Sequence, residues 1–300
     1  ILVGNARVMR GDIDDPSKEL LLYLLTPGEI CPCAAFSTLP KGEMPITVEA
    51  ETPTVILNVP IGELNTMATN YPEWRMYELA KLFVTNKQWS VSKQCFDYLI
   101  LKGPSNLFFD AATIDKLSVE FLSLTESSLT QREEFISLEV NLLKANEKYK
   151  NSYLSSVLIK DIASLKAYYL DKSSEAIILL EDYLLNNSLE IQLKAELKLM
   201  LADIYLISGE IWEASLLYSQ VEKDFKYEVV GQDAKFRNSK LSYYASDFKW
   251  AKAQCDILKG ATTKTIANDA LDLSLIITDA IGVDTNAAPL SMFSSAELLI

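Results

Sequence analysis

The chain has 300 residues, 49% of them hydrophobic and 23% charged, which excludes a disordered or low-complexity protein. The net charge is −13, with 5 Lys and Arg against 10 Asp and Glu before Met76 and 23 against 31 after it. Neither part therefore carries the positive field that a polyphosphate needs, and nucleic-acid binding by this segment is not expected. Histidine is absent, which removes the side chain most used for proton transfer near neutral pH and the commonest metal ligand. No run reaches 18 uninterrupted apolar residues, so no membrane span is expected. Four cysteines over this length are too sparse for the framework of a small secreted domain, and a reducing, cytoplasmic setting follows. The chain opens on Ile1, and Ala296 to Ile300 still read as helix. These ends point to a piece of a longer protein, with a periplasmic location open if a signal peptide stands upstream.

Residues 1 to about 62 read as short strands. Leu20 to Leu25, Ile46 to Glu49 and Thr54 to Val59 are rich in Leu and β-branched residues, and Pro and Gly punctuate them. Eight of the ten prolines lie before Trp74. This pattern predicts a partial antiparallel β jelly roll over 1–70. Ile61 to Thr69 reads as a short helix, and Tyr71-Pro72-Glu73-Trp74 starts the next.

From residue 71 to 300 the helical period dominates. The clearest unit runs Leu201-Ala202-Asp203-Ile204-Tyr205, Gly209, Trp212-Glu213-Ala214, Tyr218 and Val221. Trp250-Ala251, Cys255 and Leu258 repeat its second half 37 residues later. The same frame fits Leu79-Ala80, Phe83, Ser92, Phe96 and Leu99, and again Ala163-Ser164, Ala167, Ala176, Leu180 and Tyr183. Small positions at 92, 176, 214 and 251 leave gaps of 84, 38 and 37, so one degenerate unit is expected around Glu133 to Tyr149. Lys81-Leu82, Lys93, Asp97, Leu99 and Asp110-Ala111 recur without gaps as Lys240-Leu241, Lys252, Asp256, Leu258 and Asp269-Ala270. The expected fold class is thus α+β in two parts, the roll followed by an all-α repeat array of four to six helix pairs.

Two resemblances attach to these residues. Gly4-Asn5-Ala6-Arg7-Val8-Met9-Arg10, Glu19 to Leu25, Pro27-Gly28-Glu29 and Ile56 to Gly62 resemble part of the sensor domain of Crp/Fnr-type regulators, over about the first 80 residues. Members that bind a cyclic nucleotide use a Gly-Glu pair and an Arg, and neither the acid nor the arginine stands in Cys31 to Phe36 or Met44 to Thr47. A nucleotide ligand is disfavoured on that ground. Residues 76–300 resemble tetratricopeptide repeats, in particular a group from Bacteroidetes-like bacteria. That resemblance rests on Leu201 to Tyr205, Leu217 to Lys223, Ala234 to Asn238 and Asn268-Asp269-Ala270. The repeats depart from the family's consensus Trp and terminal Pro. The resemblance implies a scaffold that binds other proteins.

No motif marks chemistry. Cys31-Pro32-Cys33 lacks the second pair or His that a four-ligand metal site needs, so neither metal nor cofactor is expected. Cys95 and Cys255 fall on packed faces and read as small buried hydrophobes. Glu133-Glu134 and Asp14-Asp15 are adjacent, and neighbours point apart. The remaining candidates are Tyr168, Tyr169, Asp203, Phe236, Lys240, Tyr243 and Tyr244. The frame projects them from the first helix of each pair onto an inner wall, where aromatics serve as binding hot spots. The sequence reads as a non-enzymatic scaffold holding a protein or peptide in that groove. The alternative is a Crp/Fnr-type transcriptional regulator fragment without its helix-turn-helix.

Overall fold

The computed structural model describes residues 4, 6–11, 19–25, 46–50, 53–56, 61–150, 152, 154–185, 189–226, 228–260, 264–283 and 286–299. Strands β1 (Ala6–Gly11), β2 (Glu19–Leu25) and β3 (Ile46–Ala50) form one antiparallel sheet in the order β2-β1-β3. In the central strand Ala6 and Val8 are buried, while Arg7 between them pairs with Glu49, its direct neighbour across β3. The described strands make this one small sheet, and the predicted jelly roll, which needs two packed sheets, is not shown by them. Asp14-Asp15 and Cys31-Pro32-Cys33 lie outside the described residues.

The rest is helical. In chain order the helices are α1 (Ile61–Asn70), α2 (Pro72–Thr85), α3 (Trp89–Leu101), α4 (Phe109–Glu126), α5 (Arg132–Tyr149) and α6 (Ser155–Ser164). A π-helical turn, Leu165–Tyr169, extends α6. Then come α7 (Ser173–Leu184), α8 (Ile191–Ile207), α9 (Ile211–Asp224), α10 (Val229–Tyr244), α11 (Phe248–Leu258), α12 (Lys264–Val283) and α13 (Ala288–Leu298). The chain divides into two compact units, residues 1–165 and 166–300, so the division falls inside the helical region. No helix among the described residues is long and apolar enough to cross a membrane.

A shared turn explains the period. Positive φ occurs at Lys87 (57°), Asp171 (58°), Gly209 (85°) and Ser246 (63°), each five residues before a fully buried small residue: Ser92, Ala176, Ala214 and Ala251. At Lys87, Gly209 and Ser246 the N–H of that residue bonds the carbonyl three back, on Val84, Leu206 and Tyr243. The next N–H bonds five back, to Phe83, Tyr205 and Ser242. This is a Schellman ending: the left-handed residue satisfies the last carbonyls and turns the chain straight into the second helix.

Twelve residues before three of the small positions stand Ala80, Ala202 and Ser239, each 0% exposed. Small residues on both sides let the helices of a pair approach closely. The Ser92 hydroxyl accordingly reaches the Ala80 carbonyl at 3.0 Å.

After the π-helical turn the same ending is one residue longer, because the Lys172 N–H reaches back six residues to Lys166. Ala163 is fully buried here, whereas Ser164, which the sequence frame set at the small position, is only partly buried. The long gap holds α4 and α5, joined by a loop that enters α5 through a capping box of Gln131 and Glu134. Cys95 and Cys255 are buried, and burial pushes both thiols up, Cys255 to about 11.

In unit 166–300, one core gathers Ala202, Ala214, Tyr218, Val221, Ala234 and Leu241, and a second gathers Tyr243, Phe248, Ala251, Cys255 and Ile277. Gly231 sits where α10 meets the turn after α9. A Cβ there would come within 2.0 Å of the Phe225 carbonyl oxygen, so only glycine allows this approach.

Candidate functional site

The first helices of unit 166–300 build one wall. On α10, Asp233, Phe236, Arg237, Lys240 and Tyr244 recur at helical spacing and share a face. They line a cavity of about 390 Å³ together with Tyr168, Asp203, Leu206, Ile207, Tyr218, Ile266, Asp269 and Leu298. Tyr218 belongs to a second helix, α9, and reaches the cavity between α8 and α10.

At the centre stands a charged network. The Arg237 Nη1 donates to Asp203, while its Nε and Nη2 donate to Asp233 Oδ2 at 3.0 and 2.8 Å. The Tyr218 hydroxyl donates to Asp203 Oδ1 at 2.6 Å. The guanidinium fork is thus committed within the wall and is not an open anion receptor. Burial raises the Asp203 carboxyl, and Arg237 with the Tyr218 hydroxyl restrains that rise. Burial opposes charge on Arg237 as well, but Asp233 and Asp203 outweigh it and the guanidinium is held more firmly protonated. Burial and the Asp203 charge raise both phenols, Tyr168 to about 12 and Tyr218 further. Both stay neutral, and Tyr218 serves as a hydrogen-bond donor.

Two charges on the cavity lining are uncommitted by any ion pair among the described residues. The Lys240 ammonium lies 5.6 Å from the Tyr244 ring centroid, a cation–π approach, and Asp269 is exposed on α12. The apolar lining comes from Leu206, Ile207, Phe236, Ile266 and Leu298. Convergent polar groups over an apolar floor can hold and orient a ligand.

Five of the seven sequence-predicted residues meet here: Tyr168, Asp203, Phe236, Lys240 and Tyr244. Tyr169 is partly buried and does not line the cavity. Tyr243 is a correction. It is 0% exposed, packed edge-on to Phe248 in the second core, because the residue three before the left-handed position points into the helix pair. Sequence reasoning missed Arg237, Asp233 and Tyr218 as parts of the site. The signal was present in the Asp233–Arg237 spacing of four, which places both on the face of Phe236 and Lys240.

Unit 1–165 holds a second set of partly buried acids. The Tyr77 hydroxyl donates to Asp115 Oδ2 at 2.5 Å, and the Ser118 hydroxyl donates to Asp161. Burial lifts Asp161 to about 6, with the nearby Asp115 charge adding to the rise. Among the described residues no three His, Cys, Asp or Glu side chains are grouped to hold a metal ion. No protein-family model and no curated protein matches this chain.

Proposed function

We propose that this chain is a non-enzymatic interaction scaffold whose helical part is a tetratricopeptide-like array. The wall of first helices in unit 166–300 holds a segment of a partner protein. The observation that carries the reading is the convergence of Tyr168, Asp203, Phe236, Lys240 and Tyr244, from separate stretches of sequence, on one cavity. The repeated left-handed turn and the small-on-small helix seats support the array. The raised phenols support recognition over catalysis, since an activated nucleophile needs a depressed value.

Phe236 and Tyr244 supply the apolar anchor contacts, and Lys240 and Asp269 fix the orientation of the segment. Residues 166–300 carry 13 Lys and Arg against 20 Asp and Glu, so basic flanks on the partner would speed association.

The test is selection of binders from a random-peptide display library on the full chain. Selected peptides should lose at least tenfold in affinity on Phe236→Ala and on Tyr244→Ala, with far-UV circular dichroism unchanged. Equal binding by the parent and by both folded variants would overturn the reading. Promoter DNA at low salt should show no gel shift, and a clear shift would move the assignment to a regulator fragment.

A further inference from the structure

The wall already carries a helix. α13 lies across α10 and presents Leu290, Ser294 and Leu298 to it, one face at i, i+4 and i+8. Leu290 joins the core of Tyr243 and Phe248, and Leu298 packs against the core of Tyr218 and Leu241 and closes part of the cavity.

The seat is shallow. Only Leu290 and Ser294 of α13 are buried, whereas Met292, Phe293 and Leu299 are 75%, 57% and 87% exposed. A single hydroxyl contact, Ser246 Oγ to Ser291 Oγ at 2.7 Å, ties its first turn to the end of α10. The seat is also imperfect. The Tyr243 hydroxyl is buried without a well-formed hydrogen bond among the described residues, and its one acceptor, the Glu297 carboxylate of α13, makes a weak contact that with burial pushes the phenol up. A buried hydroxyl so poorly satisfied beneath a helix marks a position where another occupant can bind better.

We propose that α13 is a resident, displaceable occupant of the groove, and that the partner is an amphipathic helix. This rests on the groove reading above and names its ligand class. The displacing helix carries an apolar–small–apolar row at the spacing of Leu290, Ser294 and Leu298, with an acceptor placed for the Tyr243 hydroxyl. Helix-in-groove recognition reads such a row directly. Release of α13 uncovers the Leu298 seat and enlarges the cavity, so partner affinity is set by competition with the chain's own helix.

The probe is a fluorescent synthetic peptide of residues 286–300, added to the full-length chain. Leu290→Ser with Leu298→Ser weakens the resident helix and leaves the wall intact. That chain should bind the peptide at least tenfold more tightly than the parent. Ser246→Cys with Ser291→Cys, oxidised to a disulfide, should lower binding at least tenfold, and reduction should restore it; the single-cysteine chains treated alike should not respond. Amide exchange in α13 should exceed that in α10 and slow in the oxidised chain, a readout independent of the peptide.

Equal peptide binding by the parent, weakened and locked chains overturns the displacement proposal and leaves the groove reading standing. Binding that responds to α13 yet ignores Phe236→Ala supports displacement and overturns the cavity as the recognition element.

Discussion

The two units share a hairpin but bury carboxylates in different company. In unit 166–300, Asp203 and Asp233 flank Arg237 and Asp203 also accepts from Tyr218. In unit 1–165, Asp161 has the Ser118 hydroxyl and feels a second carboxylate, Asp115. The first acid is restrained by a cation, while the second is lifted to about 6. The cation built into the wall restrains the rise that burial imposes on Asp203. At Asp161 burial and the Asp115 charge outweigh the Ser118 hydroxyl and the Lys160 charge, and the acid titrates near physiological values.

The strongest way to break this contrast is Arg237→Ala. It leaves Asp203 and Asp233 without their cation; with these side chains 30–35% exposed, the loss falls between a surface pair and a fully buried one, about 2 kcal/mol. Denaturant unfolding should show that loss in the transition of unit 166–300, with unit 1–165 unmoved. A cost below about 1 kcal/mol would place the network with surface ion pairs instead.

The second test reverses the sign. The folded-state value of Asp161 lies above that of the free carboxyl, 3.8, so the folded unit holds the proton more tightly. Its stability is greatest below about pH 4 and declines as pH rises through about 6. Asp161→Asn keeps an acceptor for Ser118 and should add about 1–2 kcal/mol at pH 7. Below pH 4 the gain should vanish. Urea melts of parent and variant at pH 4, 5, 6 and 7 check it, and parallel profiles would remove Asp161 as the source.

Much of the fold was legible because the repeat is written in residue size. Ser92, Ala176, Ala214 and Ala251 are all fully buried, as their spacing required. What composition could not carry was backbone detail. The π-helical turn adds one residue by geometry alone, and nothing in Leu165-Lys166-Ala167-Tyr168-Tyr169 announces it. Beside it Ala163 is fully buried and Ser164 only partly. The site was partly legible for a related reason. Tyr243 and Tyr244 are neighbours of one type, and only the turn after them decides which goes inward. The Arg237 network was obscured because Asp203 and Arg237 are 34 residues apart, beyond any local pattern.

The smallest effect sits in the turn the two units share. Lys87 occupies the left-handed position in unit 1–165 and Gly209 in unit 166–300. A Cβ at Gly209 would meet nothing within 4 Å, so the cost of Gly209→Ala is conformational, about 1 kcal/mol. Lys87→Gly relieves the same strain but frees the unfolded chain and loses a pair with Glu126 whose side chains are 69% and 39% exposed. Such a pair contributes little, which leaves a net gain of about 0.5 kcal/mol. Thermal melts of the two variants should therefore move in opposite directions. If both fall, side-chain contacts at Lys87 outweigh its backbone strain, and the turn is not the common element that sets the period.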